Sequence, residues 1–307
     1  MKVVVTARDF SSVDPCASEM MINAGYEVVE IADALLLSLE EMVETLKDAD
    51  AIIVGTEKIQ KDLLEQLPNL KLIARRGIGL DAIDVKYCEE RKIAISRTVG
   101  LVEGSVAEYV MAGILYFARR MDLQTASMKR GEWNRLLTGG AKTGTLGLVG
   151  FGGIGKEIAK RALPFEMDVL YYRRHRDEND EKGWKVTYTD MDTLLAESDY
   201  VSVNVPLTDE TRNLFDYQMI KKMKPNAILI NISRGAVVNA DDLARALKEG
   251  VIAGAVIDVY NQEPCTDSPL IDCENALLTP HTAPFTTENF ILMNNKSAQT
   301  VIEFLNQ

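Results

Sequence analysis

The sequence predicts an α/β protein with two doubly wound parallel sheets. Three observations carry that expectation: short apolar runs alternate with helical ones along the chain, the alternation pauses once at a long helical segment after residue 98, and it resumes around the glycine turn Gly150-Phe151-Gly152-Gly153-Ile154-Gly155. Alternation of this kind builds a parallel sheet covered by helices on both faces. With 307 residues, 47% of them hydrophobic, the chain is long enough for two cores.

In order, the first strands are expected at residues 3–6, 26–29, 51–54, 70–74 and 92–95. Ser38-Leu39-Glu40-Glu41 has capping-box spacing and opens a helix to about Lys47, while Gly25 closes the helix before the second strand. A longer helix begins near Ser105 and runs through Ala107, Val110, Met111, Ile114 and Leu115 towards Arg119 and Arg120. Further strands are expected at 145–149, 169–172, 200–203, 227–231, 254–258 and 276–279. Six strands in this order match a dinucleotide-binding domain. The last helix, 286–305, follows that domain and is expected to pack back on the first, which gives domains of 1–98 with 286–307, and 99–285.

The glycine turn lies between an apolar strand and a helix start, the context in which Gly150, Gly152 and Gly155 allow a tight turn, a bare backbone beside a pyrophosphate and close helix–strand packing. Phosphates would sit on the free N–H groups of that helix. An NAD site offers Asp or Glu about 20 residues beyond such a turn, to bind the ribose 2′-OH. Here Arg173 stands eighteen residues past Gly155, followed by Arg174, His175 and Arg176. A guanidinium binds a 2′-phosphate through paired, charge-assisted hydrogen bonds, so the cofactor expected is NADP, with NAD as the alternative. Asp177, Glu178, Asp180 and Glu181 follow and offset part of this positive field.

A formal net charge of −12 argues against a broad nucleic-acid or anionic-membrane surface. Cys16, Cys88, Cys265 and Cys273 show no paired metal or redox spacing, so no metal is expected and the thiols are read as free. The chain starts directly on a strand-like run, without a signal-peptide pattern, and no stretch approaches the roughly 18 apolar residues of a membrane span; a cytoplasmic protein is expected.

Of the two histidines, His175 lies in the basic turn, which leaves His281, just after the final strand, as the candidate acid/base. Arg234 and Glu263 also follow apolar strands, and ligands of doubly wound sheets meet the strands' carboxyl ends. Together the three suit hydride transfer at an α-keto acid. A cation holds the carboxylate and carbonyl, an imidazolium protonates the alkoxide as hydride arrives, and a neighbouring carboxylate favours the charged imidazole and orients it.

Several motifs then fall in one order: Gly77-Ile78-Gly79-Leu80-Asp81, Ser105-Val106-Ala107-Glu108, the glycine turn, Val205-Pro206-Leu207-Thr208, Asn231-Ile232-Ser233-Arg234-Gly235, Asp258-Val259 with Glu263-Pro264, and Thr279-Pro280-His281. In this the chain resembles the D-isomer-specific 2-hydroxyacid dehydrogenase family over nearly its whole length. The resemblance implies a flavodoxin-like substrate domain beside a Rossmann dinucleotide-binding domain, a cleft that closes between them, and a homodimer formed through the cofactor domains. It puts the substrate-binding Arg, orienting Glu and acid/base His on Arg234, Glu263 and His281, and the nicotinamide-amide ligand on Asp258. It also implies that backbone groups at Ile78 and Gly79, in the Gly77 loop, hold the substrate carboxylate. Gly153, Ile154, Val205, Pro206, Ile232 and Ser233 would border the cofactor.

The chain departs from the family at Arg173, where Asp is usual, at Glu166, where many members have Gly, and at Arg97, where Asn is common. Arg76 adds a second charge beside Arg75, which suits a second anionic group on the substrate if it does not simply face solvent. The function expected is an NADP(H)-dependent reductase of small 2-oxo acids, with glyoxylate or hydroxypyruvate as first candidates. The alternatives are an NAD-using phosphoglycerate dehydrogenase-like enzyme and a non-enzymatic dinucleotide sensor like the corepressors built on this fold.

Overall fold

The computed structural model describes residues 1–307, the side chain of Asp180 excepted. The chain divides into two compact units, Met1–Val102 with Phe285–Gln307, and Glu103–Pro284.

In the first unit, strands β1 (Lys2–Val5), β2 (Glu27–Glu30), β3 (Ala51–Val54), β4 (Leu72–Arg75) and β5 (Ala94–Arg97) form a parallel sheet in the order β2-β1-β3-β4-β5. That is the flavodoxin-like order, with its reversal between β1 and β3. Strand alternation divides the apolar residues between two faces. Val4, Ile52, Val54 and Ile73 pack with Leu46, Leu63, Leu64 and Leu67 on one side. On the other, Val3, Val5, Ile53, Leu72 and Ala74 meet Met21, Ala298 and Val301. Both faces are therefore covered, which is why β3 reads as an unbroken apolar run.

Ala298 and Val301 belong to the last helix, Thr287–Leu305, which packs on the sheet and on the Cys16–Asn23 helix of its own unit. Its N-cap Thr286 accepts the Asn289 N–H, and at its far end Tyr26 donates to Asn306 Oδ1 at 2.7 Å. The Ser38 capping box is formed in both directions, with Ser38 N–H to Glu41 Oε2 at 2.8 Å and Glu41 N–H to Ser38 Oγ at 3.3 Å. Gly25, at φ +90°, ends the preceding helical segment.

The second unit holds seven strands: β6 (Thr145–Val149), β7 (Asp168–Tyr172), β8 (Thr187–Tyr188), β9 (Tyr200–Val203), β10 (Ile228–Asn231), β11 (Gly254–Ile257) and β12 (Ala276–Leu278). They form a parallel sheet in the order β12-β11-β10-β9-β6-β7-β8. The expected strands are present, and β8 is added at the edge; two residues give no periodicity to find. Chain order reverses between β6 and β9, so the ligand-binding crevice of such a sheet lies at their carboxyl ends. Gly150 stands at the first of these ends and Val205 just past the second.

Candidate active site

The turn after β6 is built for a close approach. Gly150 has φ +102°, and a Cβ there would lie 3.0 Å from the Asn204 carbonyl group at the end of β9. A Cβ on Gly155 would meet the Gly150 carbonyl oxygen at 2.5 Å, so the helix Gly153–Ala162 sits against the turn only because Gly155 lacks a side chain. Around Gly152, the N-cap of that helix, there is nothing within 4 Å of the Cβ position. Bare backbone facing open space at a helix N-terminus fits a pyrophosphate.

Arg173 comes directly after β7, whose Tyr172 pairs with Val149 and whose carbonyl accepts the Gly150 N–H at 2.9 Å. Arg173 is half-buried and Arg174 and His175 are exposed. Arg176 is engaged elsewhere: its Nε and Nη2 donate to Glu181 Oε1 and Oε2 at 2.7 and 2.9 Å, and its guanidinium lies 4.9 Å from the Tyr188 ring centroid. Glu181 also accepts from Tyr171, and with Arg176 this holds its carboxyl down to about 2.

After β10, the buried Asn231 side chain clamps the following turn. Its Oδ1 accepts from Ser233 N and Oγ at 3.1 and 2.9 Å, and its Nδ2 donates to the Arg234 carbonyl at 3.0 Å. The turn then presses on the segment after β11: a Cβ on Gly235 would fall 2.0 Å from the Tyr260 carbonyl carbon. Arg234 is thereby set beside the loop that carries Glu263, and its charge acts on that carboxylate.

Glu263 and His281, eighteen positions apart, meet: Glu263 Oε2 and His281 Nδ1 are 2.7 Å apart, and Glu263 Oε1 accepts the Tyr260 N–H at 3.0 Å. Burial alone would raise the Glu263 carboxyl, but the His281 hydrogen bond and charge, the Tyr260 N–H and Arg234 outweigh it and hold the carboxyl below its ordinary value. A carboxylate only accepts, so the proton sits on Nδ1 and Nε2 is the nitrogen turned away from the pair.

His281 itself has φ +56°, a left-handed conformation that costs energy for a residue with a Cβ. Asp258, 1% exposed at the end of β11, holds that turn in place. Its backbone carbonyl accepts the His281 N–H at 2.8 Å, Oδ1 accepts the Thr282 N–H at 2.7 Å and the Thr279 hydroxyl at 2.6 Å, and Oδ2 accepts the Ala283 N–H at 2.8 Å. Burial raises the Asp258 carboxyl above its usual range, with the donors from Thr279, Ala283 and Thr282 opposing the rise.

The Gly77 loop, in the first unit, wraps around Arg75, whose Nε donates to the Gly79 carbonyl at 3.1 Å and whose Nη1 donates to the Arg76 carbonyl. Gly77, Ile78 and Gly79 are half-buried, and Arg97 Nη1 donates to the Ile78 carbonyl at 3.4 Å. Arg76 does not face solvent. It is 7% exposed, donates to Asn294 Oδ1 at 3.1 Å and stacks 4.4 Å from the Phe290 ring centroid, so it ties the loop to the last helix. Burial lowers its guanidinium to about 10, against the favourable charge of Glu57. Glu57 is buried in turn, and desolvation raises its carboxyl despite both arginines.

Residues 111–283 match the family model of the D-isomer specific 2-hydroxyacid dehydrogenase NAD-binding domain. The chain belongs to the D-isomer-specific 2-hydroxyacid dehydrogenase family. Over 294 residues it is 40% identical to the glyoxylate reductase of Thermococcus litoralis, which covers 92% of this chain and 89% of that one. It is 38% identical to the hydroxypyruvate reductase of Thermotoga maritima, with 90% of each chain covered. Its fold matches the D-lactate dehydrogenase of Aquifex aeolicus, solved with NAD and lactic acid, at a TM-score of 0.87 and 28% identity, covering 100% of this chain and 96% of that one. The protein is therefore an oxidoreductase that works with a nicotinamide dinucleotide on 2-oxo acid and D-2-hydroxy acid pairs.

Within this dehydrogenase, Arg234, Glu263, His281 and Asp258 converge at neighbouring strand ends, β10, β11 and β12. The side chains that hold them, Asn231, Thr279 and, through its hydroxyl on Thr279 Oγ1, Tyr109, are the ones sequence reasoning missed. Thr279 and Asn231 lie inside the quoted motifs, but no pattern separates a residue that touches a ligand from one that braces it. Tyr109 lies on the helix Glu103–Ala118, where its spacing reads only as one more residue of an apolar helix. Glu166 has φ +59°, a conformation that favours glycine, which accounts for the glycine common at that place in the family. Among the described residues, no helix is long and apolar enough to cross a membrane.

Proposed function

We propose that this dehydrogenase reduces glyoxylate or hydroxypyruvate to the D-2-hydroxy acid with NADPH as the preferred donor. The single observation that carries the catalytic part is the His281–Glu263 pair, 2.7 Å apart and fixed at the end of the dinucleotide-binding sheet. When bound, the nicotinamide supplies the hydride to the carbonyl carbon. Gly150, Gly152, Gly153, Ile154 and Gly155 hold the pyrophosphate on bare backbone, and Val205, Pro206, Ile232 and Ser233 border the rest of the cofactor. Asp258 would hold the carboxamide.

Arg234 holds the substrate carboxylate and polarises the carbonyl, and the Gly77, Ile78 and Gly79 backbone of the first unit is proposed as a carboxylate-binding loop on the family resemblance alone. His281 gives its Nε2 proton to the carbonyl oxygen as negative charge develops there. Glu263 keeps the imidazole oriented through its contact with Nδ1. The reductase names of the relatives support the substrate class, and Arg173 and Arg174 support NADPH, since the first stands where a carboxylate would otherwise meet the ribose 2′-OH. Arg76 braces the loop and takes no direct part in this reading.

The test is steady-state oxidation of NADPH and NADH, in parallel, with glyoxylate, hydroxypyruvate, pyruvate, 2-oxoglutarate and 3-phosphohydroxypyruvate. NADPH preference with glyoxylate or hydroxypyruvate supports the reading. Equal or better use of NADH removes the role given to Arg173, and a best rate with the phosphorylated acid moves the substrate class.

A homodimer formed through the dinucleotide-binding unit belongs to the same proposal. That unit exposes Trp133 at 79%, Met128 at 54% and Leu137 fully, and large apolar side chains left exposed within one short stretch of chain support a protein interface there. Sedimentation velocity on the protein with Trp133→Glu and Leu137→Glu should show a monomer where the parent shows a dimer.

A further inference from the structure

Thr279 Oγ1 lies within hydrogen-bond distance of two groups, the Asp258 carboxylate at 2.6 Å and the Tyr109 hydroxyl. A hydroxyl has one proton, and a carboxylate oxygen can only accept. Thr279 therefore donates to Asp258, and the Tyr109 O–H donates to Thr279, which fixes the order Tyr109, Thr279, Asp258. Asp258 in turn accepts the backbone N–H groups of Thr282 and Ala283 with its carboxylate and that of His281 with its carbonyl. The chain of donors ends on the turn that holds His281 at φ +56°.

We propose that Tyr109 and Thr279 are positioning residues for His281, acting through Asp258. The inference rests on the functional reading above, in which His281 is the proton donor. Asp258 anchors three consecutive residues, the first of them in a left-handed conformation, and does so with a buried carboxylate. Burial raises the Asp258 carboxyl and the Thr279 hydroxyl opposes the rise, while Tyr109 reaches Asp258 only through Thr279. Tyr109 reaches this point from the helix Glu103–Ala118, so a rigid element that precedes the glycine turn in sequence sets the aim of an imidazole near the end of the unit. Side chains that support a reacting group at this distance matter, because a displacement of about 1 Å costs on the order of 10²-fold in rate.

The experiment compares pH profiles of kcat and KM for the full-length enzyme and three variants, Thr279→Val, Thr279→Ser and Tyr109→Phe, with the 2-oxo acid the parent turns over. Thr279→Val should lower kcat about 10–100-fold with KM values held within about threefold, the upper end corresponding to a misplacement of about 1 Å. Its acidic limb should move to higher pH, because loss of the donor lets Asp258 take up a proton earlier. Thr279→Ser keeps the hydroxyl and should return both quantities to the parent's. Tyr109→Phe removes one oxygen atom and should shift the limb in the same direction with a smaller loss of kcat; it carries the test if Thr279→Val does not fold. A parent inactive with every 2-oxo acid ends the functional reading itself. An active parent matched at all pH values by both hydroxyl-deletion variants overturns the proposal, as does a kcat loss with an unmoved acidic limb and no rescue by serine.

Discussion

After β7, basic side chains follow one another along a surface turn, Arg173-Arg174-His175-Arg176, and the last is paired with Glu181 five residues on. After β10, β11 and β12, the charged groups Arg234, Asp258, Glu263 and His281 are scattered over nearly fifty positions, yet they are bonded into one corner by Asn231, Thr279 and main-chain N–H groups. The first region carries its charges on a turn at the surface, where water and salt screen them. The second joins them by hydrogen bonds around the buried Asp258, where each is meaningful only with its partners. A change in the corner should therefore propagate through the whole constellation, and a change in the basic turn should stay local.

The sharpest way to break this contrast is His281→Ala. Loss of the proposed acid/base should lower kcat on the order of 10²–10⁴-fold, while cofactor binding, followed by nicotinamide fluorescence, stays near the parent's. A variant that kept most of its turnover would show that the corner is held together for packing alone.

Arg173→Asp tests the other region at the next level of effect. A hydrogen-bonded charge on a 2′-phosphate is worth about 1.5–3 kcal/mol, so the ratio of kcat/KM for NADPH over NADH should fall about 10–100-fold. The rate with the better cofactor should change far less, because the role proposed for the turn is in cofactor choice and not in proton transfer. A ratio unmoved by this substitution would remove Arg173 from the site.

These two regions were also unequally legible in the sequence. The glycine turn and Arg173 stand in a single βαβ unit, where spacing alone relates them, and strand alternation was sufficient to place every long strand. Arg234, Glu263 and His281 could be listed as strand-end residues, but that Glu263 meets His281 at Nδ1 is a product of how β11 and β12 end side by side. Tyr109 was invisible, since a phenol on an apolar helix carries no sign of what its hydroxyl reaches. Arg76 was open to two readings, ligand or solvent-facing charge, and Asn294 and Phe290 engage it from more than two hundred residues away. Short-range spacing survives in a sequence, whereas the partner of a buried polar atom is set by tertiary packing.

A pH experiment sharpens the comparison with a smaller effect. The Glu263 carboxyl is held below its ordinary value of 4.5, so the native state keeps it ionised where the unfolded chain has begun to protonate. Stability from such a group is complete above the unfolded value and is lost as pH falls through the folded one. The Tm of the parent should exceed that of Glu263→Gln near neutrality, and the gap should close below about pH 4.5. A gap constant down to strong acid would mean that the pair does not contribute through ionisation.

The smallest effect is expected at Arg176, and its smallness is the point. By sequence it belongs with Arg173 and Arg174, and a count of charges would give the three equal weight on a 2′-phosphate. By structure both ends of its guanidinium are on Glu181 and its face is over Tyr188. Releasing it to a phosphate would leave the Glu181 carboxylate, held near 2 by that pairing, next to a dianion. Arg176→Ala should thus change the NADPH to NADH ratio by less than about threefold, well under the effect of removing a charge-assisted hydrogen bond to the phosphate. Because the Arg176 side chain is exposed, Tm should also move little. A loss of preference as large as that of Arg173→Asp would show that Arg176 leaves Glu181 when the cofactor arrives, and that the basic turn acts as a unit after all.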